Sequence, residues 1–391
     1  MSNWDVIVIG AGAAGLFCAI EAARRGRRVL GLEHNAKPAE KIRISGGGRC
    51  NFTNLDICPE RYISDNPKFA ISALKRFTQW DFIDRVASAG IAYHEKTLGQ
   101  LFCDGSAQEI IDMLLGDLHE AGGELRLGCT VEAVEFDDGY KVLTEQGILE
   151  TANLVIATGG KSIPKMGASD FGYRIAQQFG HKIVGTRAGL VPLTFSGEIL
   201  EKAKSLAGVT LETRITCDDA RFDEGMVFTH RGLSGPSILQ ISSYWREGQE
   251  IEIDLKQGLE IETELGARKQ TSGKLAIVTA LSEFLPKALA IQIGEEMNLK
   301  GNLGDQSAAD LTRIAERVHC WRVLPQGTEG YRTAEVTLGG VSTDGLDART
   351  MASKHESGLY IVGELVDVTG WLGGYNFQWA WSSGWAAGQV V

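Results

Sequence analysis

Residues 5–9, DVIVI, form a short apolar, β-branched run, which predicts a buried parallel strand. A glycine turn follows at once, GAGAAG (10–15). LFCAIEAARRG comes next, with Ile20 and Ala23 on one apolar helical face. RRVLGLE (27–33) returns to strand and stops at Glu33. LVIATGG (154–160) predicts another buried strand ending in small residues. From LVPLTF (190–195) the texture changes to short alternating strands in VTLETRITC, GMVFTH and EIEIDLK. Residues 256–325 read as helical, through KLAIVTALSEFLPKALAIQIGEEM and SAADLTRIAERVHCW. YRTAEVTLGGVST is strand again. The chain closes with a strand at Leu359–Val362, a glycine loop and a helix from Asn376.

This order predicts an α/β protein whose dinucleotide-binding domain is interrupted by an insertion. The first part of that domain covers 1–189 and its last part 339–391. The inserted substrate or cap domain covers 190–338, with strands in 190–255 and 326–338 and helices in 256–325. No internal repeat and no low-complexity linker is present.

Composition narrows the picture. At roughly 150 residues per domain, 391 residues make two or three domains. The 48 glycines lie in non-periodic clusters, which excludes collagen and draws attention to nucleotide-cradling loops. A net charge of −11 argues against non-specific binding to nucleic acid or to an anionic membrane. The expected partner is therefore a small-molecule substrate, with no nucleic acid and no membrane; oligomeric state is not legible. Seven cysteines without CxxC or zinc spacing read as reduced thiols in a cytoplasmic protein, with no metal site. The N-terminus lacks the form of a secretory signal, and no apolar run reaches the roughly 18 residues of a membrane span.

Each residue of the first motif has a physical task. Gly10 permits the tight turn, Gly12 lets backbone approach a pyrophosphate at the helix N-terminus, and Gly15 lets helix and strand pack closely. Glu33 can accept hydrogen bonds from an adenosine ribose and repels a 2′-phosphate, which favours FAD or NAD over NADP at this site.

Three further features favour FAD. KIRISGGGRCNFTN (41–54) follows the ribose acid closely. Successive N–H groups of Gly46, Gly47 and Gly48 can form an anion nest, to which Arg49 adds charge. LVIATGG, with Gly159, can bring the chain back to the cofactor. The helix after Gly373-Gly374 can aim its free N–H groups at a flavin carbonyl, while Glu364 holds ribityl hydroxyls. The tryptophans at 371, 379, 381 and 385 read as packing of the terminal helix.

These motifs, together with LVPL (190–193), FTHRGLSGP (228–236), EVTLGGVST (335–343) and GELVDVTGWLGGYNFQWAWSSG, resemble the BaiN/YhiN-type flavoproteins across nearly the whole chain. The resemblance implies a Rossmann-like, glutathione-reductase-like FAD domain interrupted by a β-barrel-plus-helical insertion. It implies FAD contacts from Gly12, Ala14, Glu33, Lys41, Arg43, Gly47, Gly48, Arg49, Asn51, Val131, Glu364 and Asn376, with Val131 at the adenine end. Where the family has GRVFP, this chain has GQLFC (99–103), so Gln100 and Cys103 put the substrate in doubt.

The expected function is an FAD-dependent oxidoreductase acting on a small organic substrate. His230 is the candidate general acid and Arg231 a candidate carboxylate ligand; bracing is their plainer reading. Cys50 reads as packing against the cofactor rather than as a redox partner. No second GxGxxG unit exists, so NAD(P)H could dock only transiently, or the substrate could deliver hydride and dioxygen reoxidise the flavin. A non-catalytic FAD module and an RNA-modifying flavoprotein are the rival readings, and the negative charge counts against the second.

Overall fold

The structure is a computed structural model that describes residues 4–391. It divides into two compact units, one of 1–187 with 336–391 and one of 188–335.

The first unit is built on the strand–turn–helix–strand order of the N-terminus. Strand β1 (Trp4–Ile9) is central, and helix α1 (Ala13–Arg24) returns the chain to β2 (Val29–Leu32). β1 pairs in parallel with β2, Val6 opposite Val29 and Ile9 opposite Leu32. On its other edge β1 pairs in parallel with β3 (Gly147–Ile156). The start of β3 joins an antiparallel meander with Tyr140–Thr144 and Val131–Phe136. Its end pairs in parallel with β4 (Leu359–Ile361). Glu124–Arg126 completes the seven strands beside β2. Val6, Ile7 and Val8 are fully buried, as a continuous apolar run requires of a strand covered on both faces.

Helix α2 (Tyr375–Gly388) closes this unit against α1. Two glycines allow that approach. A Cβ on Gly384 would stand 2.5 Å from Ala14 O, and one on Gly388 would stand 3.0 Å from Cys18 O. The tryptophans serve packing here. Trp381 stacks on Phe82 at 4.3 Å and donates its Nε1–H to Phe52 O, and Trp379 donates to Gly363 O.

The second unit carries a seven-stranded sheet in the order Trp321–Val323, Ile251–Asp254, Thr210–Cys217, Ala220–Thr229, Gly232–Ser234, Leu193–Thr194, Gly327–Thr328. The two end strands are not paired with each other, yet Val323 and Gly327 are four residues apart. Four Cα steps span at most about 15 Å, so the sheet must curl back on itself. The family resemblance implies a barrel; here the hydrogen-bond ladder is open, and its two edge strands are joined by a short chain link.

Two local expectations need correction. The segment 190–255 holds helices as well as strands, at Gly197–Ser205 and Pro236–Ser242. Both are too short for a clear period. The segment 256–325 is helical at Ile261–Ser272, Ile277–Leu281, Lys287–Glu296 and Ala308–His319, but ends in the strand Trp321–Val323. No helix among the described residues is long and apolar enough to cross a membrane.

Candidate dinucleotide-binding site

The three glycines of GAGAAG have three different surroundings. Gly10 has φ +104°, and a Cβ there would lie 2.5 Å from Ala157 O. A Cβ on Gly15 would lie 1.9 Å from Gly10 O. One on Gly12 meets nothing within 4 Å. Two glycines therefore serve the close packing of turn, helix and β3, and the middle one faces open space. Gly12 is the N-cap of α1, no side chain caps it, and the first turn carries no acid, so its N–H groups face that space. Ala14, in the same turn, is buried beneath α2. This cradle fits a diphosphate.

Glu33, buried at the end of β2, is aimed by backbone. Its Oε2 accepts the Ala11 N–H at 2.9 Å and its Oε1 the Asn35 N–H at 3.0 Å. Cys129 N–H donates to Glu33 O at 2.9 Å, and Val131 follows two residues after Cys129. The carboxylate keeps lone pairs free for a ribose diol.

Farther along, Lys41 Nζ lies 2.6 Å from Glu364 Oε2 and 2.6 Å from Ser162 Oγ. Ser162 Oγ donates to Glu364 Oε1 at 3.1 Å, and Thr337 N–H donates to the same oxygen at 2.9 Å. Gly159 (φ +72°) lies beside this cluster; a Cβ there would stand 3.8 Å from Glu364 Oε2. Thr158, next to it, has a buried hydroxyl without a partner.

The segment read as a second phosphate loop is more structured than expected. It forms a helix, Glu40–Gly48, that breaks at Ser45 (ψ 147°), and Gly46, Gly47 and Gly48 then take left-handed φ of +57°, +67° and +87°. A Cβ on Gly46 would strike the Phe102 ring at 2.6 Å, whereas Gly47 faces open space and Gly48 meets only Arg43 O at 4.0 Å. Arg49 is exposed, and its guanidinium has no partner among the described residues, which suits an anion contact. Arg43 turns elsewhere: Nε lies 3.2 Å from Glu40 Oε1 and Nη1 donates to Gln108 Oε1.

At the other end, Gly373 (φ +106°) and Gly374 (φ +97°) press on Gln100 and on Thr53 O. Asn51, with its amide turned to satisfy both ends, donates to Thr53 O and Leu101 O at 3.1 Å and accepts from Gly374 N–H at 3.3 Å. The Asn376 side chain is spent on the loop before it, accepting from Gly370 N–H at 2.8 Å and donating to Gly370 O at 2.9 Å. Its contribution to a ligand would come from backbone.

Cys50 and Cys103 are fully buried, and burial pushes both thiols up, Cys103 to about 12. Protonated thiols are poor nucleophiles, consistent with packing. His230 and Arg231 lie in the other unit, exposed on the turn between Ala220–Thr229 and Gly232–Ser234; Arg231 Nε is 3.9 Å from Glu329 Oε1. No group of three His, Cys, Asp or Glu side chains among the described residues could hold a metal ion.

The HI0933-like protein Rossmann domain model matches residues 4–390. The chain belongs to this family. It is a family of FAD-binding oxidoreductases, in agreement with the motifs. The chain is 51% identical over 397 residues to a ribosomal RNA dihydrouridine synthase of Escherichia coli (strain K12), covering 100% of this chain and 98% of that one. It is 46% identical over 392 residues to the enzyme of the same name from Haemophilus influenzae, covering 97% and 96%. A 3-dehydro-bile acid delta(4,6)-reductase of Clostridium scindens is 29% identical over 407 residues, covering 98% of each.

These relatives overturn the expectation of no nucleic-acid partner. Net charge was a poor guide because it sums the whole surface, whereas recognition depends on the few cations beside the site. Ser162 was also missed as a partner of Lys41 and Glu364. Its only signal was its place just after LVIATGG.

Proposed function

We propose that this chain is an FAD-dependent reductase that converts a uridine of ribosomal RNA to 5,6-dihydrouridine. The observation that carries this reading is the 51% identity, over the entire chain, to an enzyme named for that product. The 29% identical bile acid reductase supports the reaction type. Uracil C5=C6 and an unsaturation conjugated to a 3-oxo group are both alkenes polarised by a carbonyl, which accept hydride at the far carbon and a proton at the near one. With NAD(P)H as transient reductant, uridine, NAD(P)H and one proton give dihydrouridine and NAD(P)⁺.

FAD, when bound, supplies the hydride chemistry. The chain supplies position. Gly12 and the α1 N-terminus would hold the diphosphate, Glu33 the ribose, and Lys41 with Glu364 the polar chain beyond it. Gly47, Gly48 and Arg49 would close over the cofactor, and the backbone at Gly374–Asn376 would meet the ring. His230 is our candidate for the proton delivered to C5 and Arg231 for an RNA phosphate; both are exposed.

Anaerobic stopped-flow spectroscopy tests the two half-reactions. The flavin band should bleach with NADH or NADPH and return on adding ribosomal RNA lacking the modification. Return with a small enone but not with RNA would contradict the reading.

A further inference from the structure

The hairpin joining Tyr93–Glu95 to Gln100–Cys103 turns at Leu98-Gly99. Gln100 N–H donates to Thr97 O at 2.9 Å, and Leu98 and Gly99 have φ of +50° and +76°. This is a mirror-image two-residue turn, whose first central position favours Asn, Asp or Gly. Leucine is strained there. It is also 60% exposed, so burial returns nothing. Strain and exposed apolar surface coincide on one side chain.

The tip is held firmly. Glu95 Oε1 accepts the Gly99 N–H at 3.1 Å. Asn54 Nδ2 donates both to Leu98 O at 3.0 Å and to Gly373 O at 2.8 Å, tying the turn to the glycine pair that precedes α2. Lys96, two residues before Leu98, is exposed; its ammonium lies 5.4 Å over the Phe102 ring and has no ion pair among the described residues.

We propose that Leu98 is a wedge that enters the RNA base stack where the target uridine turns out toward the flavin, with Lys96 beside a flanking phosphate. The inference rests on the RNA reading above. An enzyme that acts on a stacked base must extrude it, and an apolar side chain can fill the gap. The tie through Asn54 puts this leucine next to the ring end of the candidate site, and the free cation beside it suits a polyanion better than an apolar protein surface.

Leu98→Asn tests the idea, because asparagine relieves the backbone strain while removing the wedge. The variant should melt no lower than wild type, keep its FAD and be reduced by NAD(P)H at the same rate. Its kcat/KM on a folded ribosomal RNA fragment should fall about tenfold or more, while that on an unstructured oligonucleotide carrying the same uridine stays within about twofold. Leu98→Phe should restore the folded substrate. A 2-aminopurine beside the target should brighten on binding wild type and not Leu98→Asn. Unchanged turnover of the folded fragment, equal loss on both RNAs, a lowered melting temperature, or loss of self-association with RNA kinetics intact would each overturn the wedge. Absence of turnover of either RNA by wild type would sink the RNA reading itself, and the wedge with it.

Discussion

Lys41 Nζ lies 2.6 Å from Glu364 Oε2, although 323 positions separate the two residues. The contact joins the helix Glu40–Gly48 to the loop after β4, and it brings Ser162 and Thr337 to the same carboxylate. Three side chains and one backbone N–H, from four segments, thus share one polar cluster. If this cluster acts on the cofactor as a unit, Lys41→Met and Glu364→Gln should each weaken FAD binding by about tenfold, and the double variant little more than the worse single one. Titration of the apoprotein with FAD, followed by flavin fluorescence, checks this. Fully additive losses would mean that the two residues act independently.

The glycine turn makes a sharper contrast. Gly12→Ala adds a methyl to open space, so the apoprotein should melt as wild type does, yet FAD should be lost on purification. Gly15→Ala puts the methyl 1.9 Å from Gly10 O, so it should lower stability even without cofactor, by about 1–3 kcal/mol. Melting of both apoproteins, with the ratio of flavin to protein absorbance, distinguishes the two. Retention of flavin by Gly12→Ala would remove the diphosphate from that position.

The contact between α1 and α2 should tolerate no enlargement. A methyl at Gly384 would lie 2.5 Å from Ala14 O, against backbone that cannot swing aside. Gly384→Ala should cost about 1–3 kcal/mol in denaturant unfolding. Flavin content should fall with it, since Ala14 belongs to the first turn of α1. A neutral substitution would show that the helices can separate without penalty.

Acid should weaken the fold partly through His181. Burial, with His355 4.8 Å away, holds its imidazole down at about 4, against 6.5 for the free side chain. The folded form keeps this group neutral while the unfolded chain takes up a proton. Its contribution is therefore complete above pH 6.5 and is lost as pH falls from 6.5 toward 4, by about 3 kcal/mol. His181→Gln should flatten the fall in unfolding free energy between pH 7 and pH 4.5. An unchanged slope would place the acid sensitivity elsewhere.

The first unit was legible because its signals are local. An apolar run, a glycine spacing and an acid at the end of the next strand leave few alternatives to a parallel βαβ unit, and Gly10, Gly12 and Gly15 divide their tasks as that unit demands. What escaped depends on distant partners. Nothing near Arg43 announces that Gln108, 65 residues on, will draw its guanidinium away. Nothing near Asn376 announces that its amide will brace Gly370. Gly46–Gly48 were read as an anion nest, and neither their left-handed φ nor the helix that enters them was anticipated. Substrate class was least legible, since −11 is a property of the whole chain and says nothing of where its charges lie.

The most direct test is product formation. Purified flavoprotein, NADPH or NADH, and ribosomal RNA from cells lacking this enzyme should yield dihydrouridine, read as a nucleoside heavier than uridine by two hydrogens. The product should be absent without the reductant. RNA that stays unmodified while the reductant is consumed on a small enone would contradict the account.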